Sequence, residues 1–314
     1  MRDFDERELL VVGANLALAA NAAEVTAALH AAGLRSILIK GPVLVRWLYG
    51  SESGRPSSDV DLLVDPGDLD VAETVLRELG YEPLAIGIGV GERPRHASTW
   101  TRVAGAPAVD LHTTVVGVGV TGTYAWSVLR EHTMTVELGG AAVEVPREDA
   151  RLLLLALHAA QHGEREPQPL QDLARALEVG TRAEWNDAAS LAKRLRAEPA
   201  FAAGLGLLKA GQTLREDLHL SPSPTVESAL RATTAPALTL GFDWLVRLPG
   251  VRPRLRFIVR KTFPPAAYMR TWSPLARRGR LGLGAAYVWR PLWLISRAGP
   301  AMRAWRRAQK QSQA

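Results

Sequence analysis

The 314-residue chain contains no cysteine. That absence excludes disulfide frameworks, cysteine-ligated zinc and thiol nucleophiles, and it fits a reducing compartment. Negative charge is missing from one end, because no Asp or Glu follows Asp243. Residues 244–314 hold 16 Lys or Arg, while residues 1–243 hold the other 22 together with all 32 acidic residues. An acidic body near −10 therefore precedes a basic tail at +16. Long apolar runs are also scarce. The best, Leu281–Ile295, is short and contains Arg290 and Pro291, so no spanning helix is expected. Met1–Glu8 is charged and has no apolar stretch of the signal-peptide kind, which makes the cytoplasm the expected compartment.

What is present describes a globular chain, 47% apolar and long enough for more than one domain. The first thirty residues, rich in Ala and Leu, predict either one helix or two divided near Ala20–Ala23. "RSILIK" at Arg35–Lys40 predicts a strand, and Gly41-Pro42 opens a helix reaching Tyr49. "DVDLLV" from Asp59 alternates as a strand does, and a helix capped by Asp68 and stopped at Gly80 follows. Residues 96–102 and 107–115 predict a hairpin through "AGAP". A second hairpin flanks Gly139-Gly140, and Pro146 suits the start of a long helix. Helical patterns run on to about Leu218, and "LSPSPT" interrupts them. The expected fold is α/β (α+β): a small mixed sheet with flanking helices in residues 1–145, a helical domain in 146–242, and a basic helical tail in 243–314.

Asp59 and Asp61 stand two apart on a predicted strand, so both project from one face while Val60 and Leu62 turn to the core. Converging carboxylates repel unless a cation compensates, and a rigid strand pair of this kind suits Mg²⁺. Asp110 sits in a similar strand setting, with His112 on its face. The competing reading of Asp-X-Asp alone is an edge strand with solvated acids. Lys40-Gly41, at a strand end and helix start, can admit a phosphate, and Arg55 precedes the acidic strand.

The order "ILIKG", a helix ending "LYG", then Arg55 and "SSDVDLLV", a helix ending "LGYEP", and "VDLHTTV" resembles the polymerase-beta-type nucleotidyltransferase superfamily. More narrowly, it is similar to a bacterial nucleotidyltransferase family with a Lys-Gly turn and an Asp-X-Asp strand. The likeness covers about residues 9–180, including "LLLLALHAAQHG" and "LQDLARAL". It implies Asp59 and Asp61 as ligands of both of two Mg²⁺ ions, with Mn²⁺ as a substitute. Asp110 becomes the third ligand and the activator of an acceptor hydroxyl, and Gly41 the residue that admits the triphosphate. The implied reaction is nucleotidyl transfer from an NTP to an acceptor that the sequence does not identify, with pyrophosphate release. The alternative is a non-catalytic nucleotide-binding partner in a biosynthetic or defence assembly. Where the superfamily carries Gly-Ser at the first turn, this chain has Gly41-Pro42, and Pro42 has no N–H to offer.

Other residues retain two readings each. Lys40 either neutralises phosphate or caps its strand in water, and Arg55 either contacts the triphosphate or is solvated. His112 either serves the site, orienting Asp110 or meeting the acceptor, or closes the sheet edge. His158 and His162, four apart on a helix, lack the Glu of a zincin motif, so acceptor-side or packing roles remain. Asp172 is an acceptor-side candidate, a helix cap or a partner of Arg175. Trp272, Trp289, Trp293 and Trp305 among arginines can pack inward, lie at a membrane surface or stack on nucleic-acid bases. No recognised module supports nucleic acid. Packing suits the earlier tail and a peripheral membrane contact suits Tyr287–Arg307.

Overall fold

The computed structural model describes residues 6–50, 55–84, 97–102, 106–220 and 238–311. Helix α1 (Glu6–Ala31) leads to β1 (Ser36–Leu38), α2 (Pro42–Tyr49), β2 (Asp59–Val64) and α3 (Leu69–Glu78). Strands β3 (Glu82–Pro83), β4 (Ala97–Thr101) and β5 (Ala108–His112) precede α4 (Gly122–Leu129). A hairpin of β6 (Thr133–Leu138) and β7 (Ala141–Pro146) completes a mixed seven-stranded sheet of order β3-β4-β5-β2-β1-β7-β6. Both predicted hairpins form, and the expected α+β class holds.

Period-two alternation divides the sheet faces. Val60, Leu62 and Val64 of β2, with Val109 and Leu111 of β5, join Leu18, Ala22, Val25 and Leu29 of α1 in one core. Leu63 and Ile37 point the other way, into a second core shared with α2, α4 and the helices that follow. Those helices are α5 (Glu148–His162), α6 (Pro167–Val179), α7 (Arg182–Arg194), α8 (Glu198–Leu205) and α9 (Lys209–Asp217). The odd positions of β2 and the even positions of β5 therefore face this helical side.

Of the one or two helices expected here a single one forms, and α1 runs unbroken through Ala20–Ala23. Alanine is the strongest helix former, and here its small size has a use. The turn at Gly139 approaches so closely that a Cβ there would lie 3.0 Å from Ala23 Cβ and 3.2 Å from the Ala19 carbonyl oxygen. Gly139 also holds φ at 56°, a left-handed conformation that glycine adopts without strain. Pro146 closes β7 instead of opening a helix, because Arg147 is the N-cap and Glu148 and Asp149 fill the first turn of α5. By length and composition, residues 8–31 of α1 could cross a bilayer, but the helix lies on the sheet with its Leu18–Leu29 stripe in the core. "LSPSPT" falls almost entirely outside the described residues.

The tail forms α10 (Leu238–Arg247), α11 (Val251–Thr262), α12 (Ala266–Trp272) and α13 (Gly279–Gln311). It has a small apolar cluster of its own around Met269, Ala276 and Ala286. Trp272 and Trp293 meet edge to face at 5.5 Å, with the Arg290 guanidinium 4.6 Å over the Trp272 ring. Trp305 Nε1 donates to Asp243 Oδ1 at 3.3 Å. Three of the four tail tryptophans singled out above thus pack within the tail, and Trp289 stays exposed.

Candidate active site

Strands β2 and β5 run parallel, and their register sets Asp61 opposite Asp110 and Asp59 opposite Ala108. Residues paired this way project from the same face of neighbouring strands, so the two carboxylates lie side by side. His112 follows Asp110 on that face. Its Nε2 donates to Asp61 Oδ1 at 2.8 Å, so the carboxylate it holds is Asp61, across the strand pair. One ligand atom from each of Asp61, Asp110 and His112 fits within a sphere of mutual distances below 4.8 Å.

Lys40 brings the nearest cation, Nζ to Asp61 Oδ1 being 3.5 Å. Its backbone stands just past β1, where the chain turns through Gly41 at φ 96°, a conformation nearly confined to glycine. The carbonyl of Gly41 accepts from the Leu44 and Val45 N–H groups and starts α2. Lys40-Gly41 is thereby fixed beside the acidic strand.

The three aspartates sit in different fields. Burial alone would raise the Asp61 carboxyl, but the His112 hydrogen bond and the charge of Lys40 hold it well below the ordinary carboxylate range. Asp59 moves the other way: burial and the neighbouring charges of Asp61 and Asp110 raise it, against weaker help from Lys40 and from the Ser58 hydroxyl at 3.2 Å. Asp110 Oδ1 is buried with no hydrogen-bond partner among the described residues. An orphaned carboxylate oxygen clustered with Asp61 and the His112 imidazole is a donor set that can hold a divalent cation, with Asp59 the next carboxylate along the strand. The residues fit such an ion.

The loop before β2 is anchored from two sides. Asn15 of α1, fully buried, donates from Nδ2 to the Arg55 carbonyl at 2.8 Å and accepts the Ser57 N–H at 3.2 Å. Arg55 donates Nε to both Asp172 oxygens at 2.9 Å and one terminal nitrogen to Ser57 Oγ at 2.7 Å. Asp172, on α6, is wholly buried and also accepts from Tyr49 at 2.8 Å and Gln168 at 3.2 Å. Burial, followed by the hydrogen bond to Asp172, pushes the Tyr49 hydroxyl up to about 12, so it remains a donor. Arg55 and Asp172, each singled out separately in the sequence, are thus one buried pair. Arg175 instead pairs with Glu178 at 2.5 Å.

His158 lies on α5 with Nδ1 buried and without a partner among the described residues. Burial and the positive charges of Lys40 and His162 lower its affinity for protons far below the ordinary value, while Asp61 pulls weakly the other way. The imidazole is neutral and close enough to the acidic strand to share its field. Its ring meets His162 edge to face at 4.5 Å, and His162 Nδ1 bonds Glu166 Oε2 at 2.7 Å.

Asn15, Tyr49 and Gln168 were not singled out from the sequence. Asn15 did carry a signal: it replaces an apolar residue in the stripe continued by Leu18, Ala22, Val25 and Leu29. Tyr49 and Gln168 carried none beyond their neighbourhood.

Comparison with known proteins agrees with this geometry. A family model described as "Uncharacterised nucleotidyltransferase" matches residues 1–210. The chain belongs to this nucleotidyltransferase family. No curated protein matches it. Among solved structures, the antibiotic-resistance factor ANT(2'')-Ia is 13% identical, with a TM-score of 0.39, over 55% of this chain and 90% of that one. An antigenic nucleotidyltransferase-like protein from Paracoccidioides brasiliensis is 14% identical, with a TM-score of 0.32, over 62% and 93%. Both are shallow likenesses and carry no argument here.

Proposed function

We propose that the protein transfers a nucleoside monophosphate from an NTP to an acceptor hydroxyl, releasing pyrophosphate, with Mg²⁺ held by Asp59, Asp61 and Asp110. The observation that carries this is the register of Asp61 against Asp110, with a buried Asp110 oxygen that has no hydrogen-bond partner among the described residues. Two Mg²⁺ ions held there would neutralise triphosphate charge and make the acceptor hydroxyl more acidic.

The protein's own groups divide the remaining work. Asp110 takes the acceptor side and receives its proton. His112 fixes Asp61 in the orientation a ligand needs. Lys40 lends positive charge to the phosphates, and Gly41 leaves room for them beside the strand. Arg55 reaches a nucleotide only with a guanidinium already neutralised by Asp172, so its main effect is to hold the loop that leads into Asp59. His158, neutral on α5, would line the acceptor side of the site, with His162 farther out. The sheet in residues 1–145 and the helices in 146–242 would thus supply the nucleotide and acceptor sides of one cleft, and the NTP pool places the reaction in the cytoplasm.

The test is incubation of the purified protein with each radiolabelled NTP, Mg²⁺ and cell extract, followed by identification of the labelled product. Label transfer with pyrophosphate release, lost in Asp61→Asn, is expected. Nucleotide binding without pyrophosphate release for any NTP would instead identify a binding protein.

A further inference from the structure

The helix that ends the chain leaves an apolar face uncovered. On α13, Leu281, Ala285, Val288, Leu292 and Ile295 recur at alternating spacings of four and three, which aligns them along one side of a helix. They are not in the tail's own core. Leu281 is 91% exposed, Val288 70%, Leu292 56% and Ile295 71%, and Trp289 is exposed at the stripe's edge. A soluble protein seldom leaves such a contiguous row in water.

The charges around the stripe are ordered. Between Leu281 and Gly299 the only charged residues are Arg290 and Arg297, and both lie on the opposite side of the helix. Arg290 is buried there, its Nε donating to the Lys261 carbonyl at 3.1 Å, and Arg297 stands 5.5 Å over the Trp293 ring. Arg277, Arg278 and Arg280 stand at one end of the stripe, and Arg303, Arg306, Arg307 and Lys310 at the other. Helix α11 repeats the pattern on a smaller scale, with Val251, Leu255, Ile258 and Val259 exposed among Arg252, Arg256 and Arg260.

We propose that the exposed face of α13, bounded by its basic ends, docks the protein on an anionic lipid surface. The stripe from Leu281 to Ile295 rises about 22 Å along the helix, long enough to lie along a bilayer interface with aliphatic side chains below the headgroups and arginines among them. Trp289 at the margin suits the headgroup depth. Two features exclude a span: Arg290 and Arg297 on the far side, and Pro291 within the helix. Charge selects the partner. Residues 244–314 carry 16 cations and no acid, so the tail of a second copy would meet its like, whereas anionic headgroups complement it. This inference is independent of the reaction at the aspartates.

The experiment is co-sedimentation of the full-length protein with phosphatidylcholine vesicles, with and without about 30% phosphatidylglycerol. Binding to the anionic vesicles only is expected, weakened by salt. The double substitution Val288→Asp with Leu292→Asp changes exposed side chains and should lower binding about tenfold or more, with the circular dichroism spectrum and nucleotidyl transfer unchanged. Arg303→Gln with Arg306→Gln should reduce both binding and its salt dependence. Equal binding to neutral vesicles, or unchanged binding by Val288→Asp with Leu292→Asp, would overturn the proposal. So would the absence of vesicle binding together with a dimer, seen by light scattering, that the same substitution dissociates, since the face would then belong to a second copy.

Discussion

Asp61 and Asp110 are register partners on parallel strands, and among the described residues only Asp61 has its charge answered by an ion pair. His112 and Lys40 both turn to Asp61, while the inner oxygen of Asp110 has no partner among the described residues. The two are therefore unequal in the metal-free protein and should respond differently to substitution. Asp110→Asn should cost roughly 10³-fold in nucleotidyl transfer, several kcal/mol of transition-state stabilisation, while leaving thermal stability almost unchanged. Asp61→Asn should lose similar activity and also stability, since it removes the buried negative charge that Lys40 and His112 face. Paired rate and melting measurements check this. Loss of stability in Asp110→Asn alone would contradict the assignment.

His112 acts through Asp61, so its removal should be milder. His112→Ala should lower Mg²⁺ affinity and transfer by about 10- to 100-fold, the range for a group that orients a ligand. His112→Gln, which keeps a donor, should recover part of the loss. Titration calorimetry with Mg²⁺ separates this from a change in nucleotide affinity.

If Asp59 is a metal ligand as proposed, it should set the acid limit of metal binding. Burial and the charges of Asp61 and Asp110 raise its proton affinity, so its ionised form costs folded-state stability. That cost is fully present above the raised folded value and disappears as pH falls below the unfolded one. Asp61 has the opposite sign: its contribution is present above the unfolded value and is lost only as pH falls through its depressed one. Two consequences are measurable. Mg²⁺ affinity, followed from about pH 8 to pH 5, should begin to fall above the ordinary carboxylate range, because the ion must displace a proton from Asp59. Metal-free Asp59→Asn should melt at or above the wild-type temperature at neutral pH, while binding Mg²⁺ more weakly. A lower melting temperature would mean that Asp59 stabilises the fold.

The acidic strand was legible because "DVDLLV" obeys a period of two, so its buried face follows from Val60, Leu62 and Val64 alone. The aspartates' common side follows with it. That β5 would lie near β2 was expected, but its parallel pairing and the match of Asp61 to Asp110 depend on how the whole sheet closes, which no local pattern encodes. For a related reason the sequence leaves open whether α1 is one helix or two. Ala19, Ala20 and Ala23 make room for the distant Gly139 turn, and a run of small residues looks locally like an interruption. The resemblance to a family carried further than periodicity because motif order records long-range proximity. It still did not reveal that Arg55 and Asp172, 117 residues apart, are partners.

That pair yields the last prediction. Asp172 has no exposed surface, and its carboxylate accepts from Arg55, Tyr49 and Gln168. Removing one charge of a buried pair strands the other, so Asp172→Leu should destabilise the protein by about 3–5 kcal/mol. Adding Arg55→Leu should restore part of that loss, because the uncompensated guanidinium disappears. Urea denaturation of the two single variants and the double variant closes the cycle. The loop from Arg55 leads directly into Asp59, so the double variant, even where it is stable, should transfer more slowly than wild type. A slow double variant of near-normal stability identifies the pair as positioning residues for the acidic strand. Full activity in that variant would limit Arg55 and Asp172 to a role in packing.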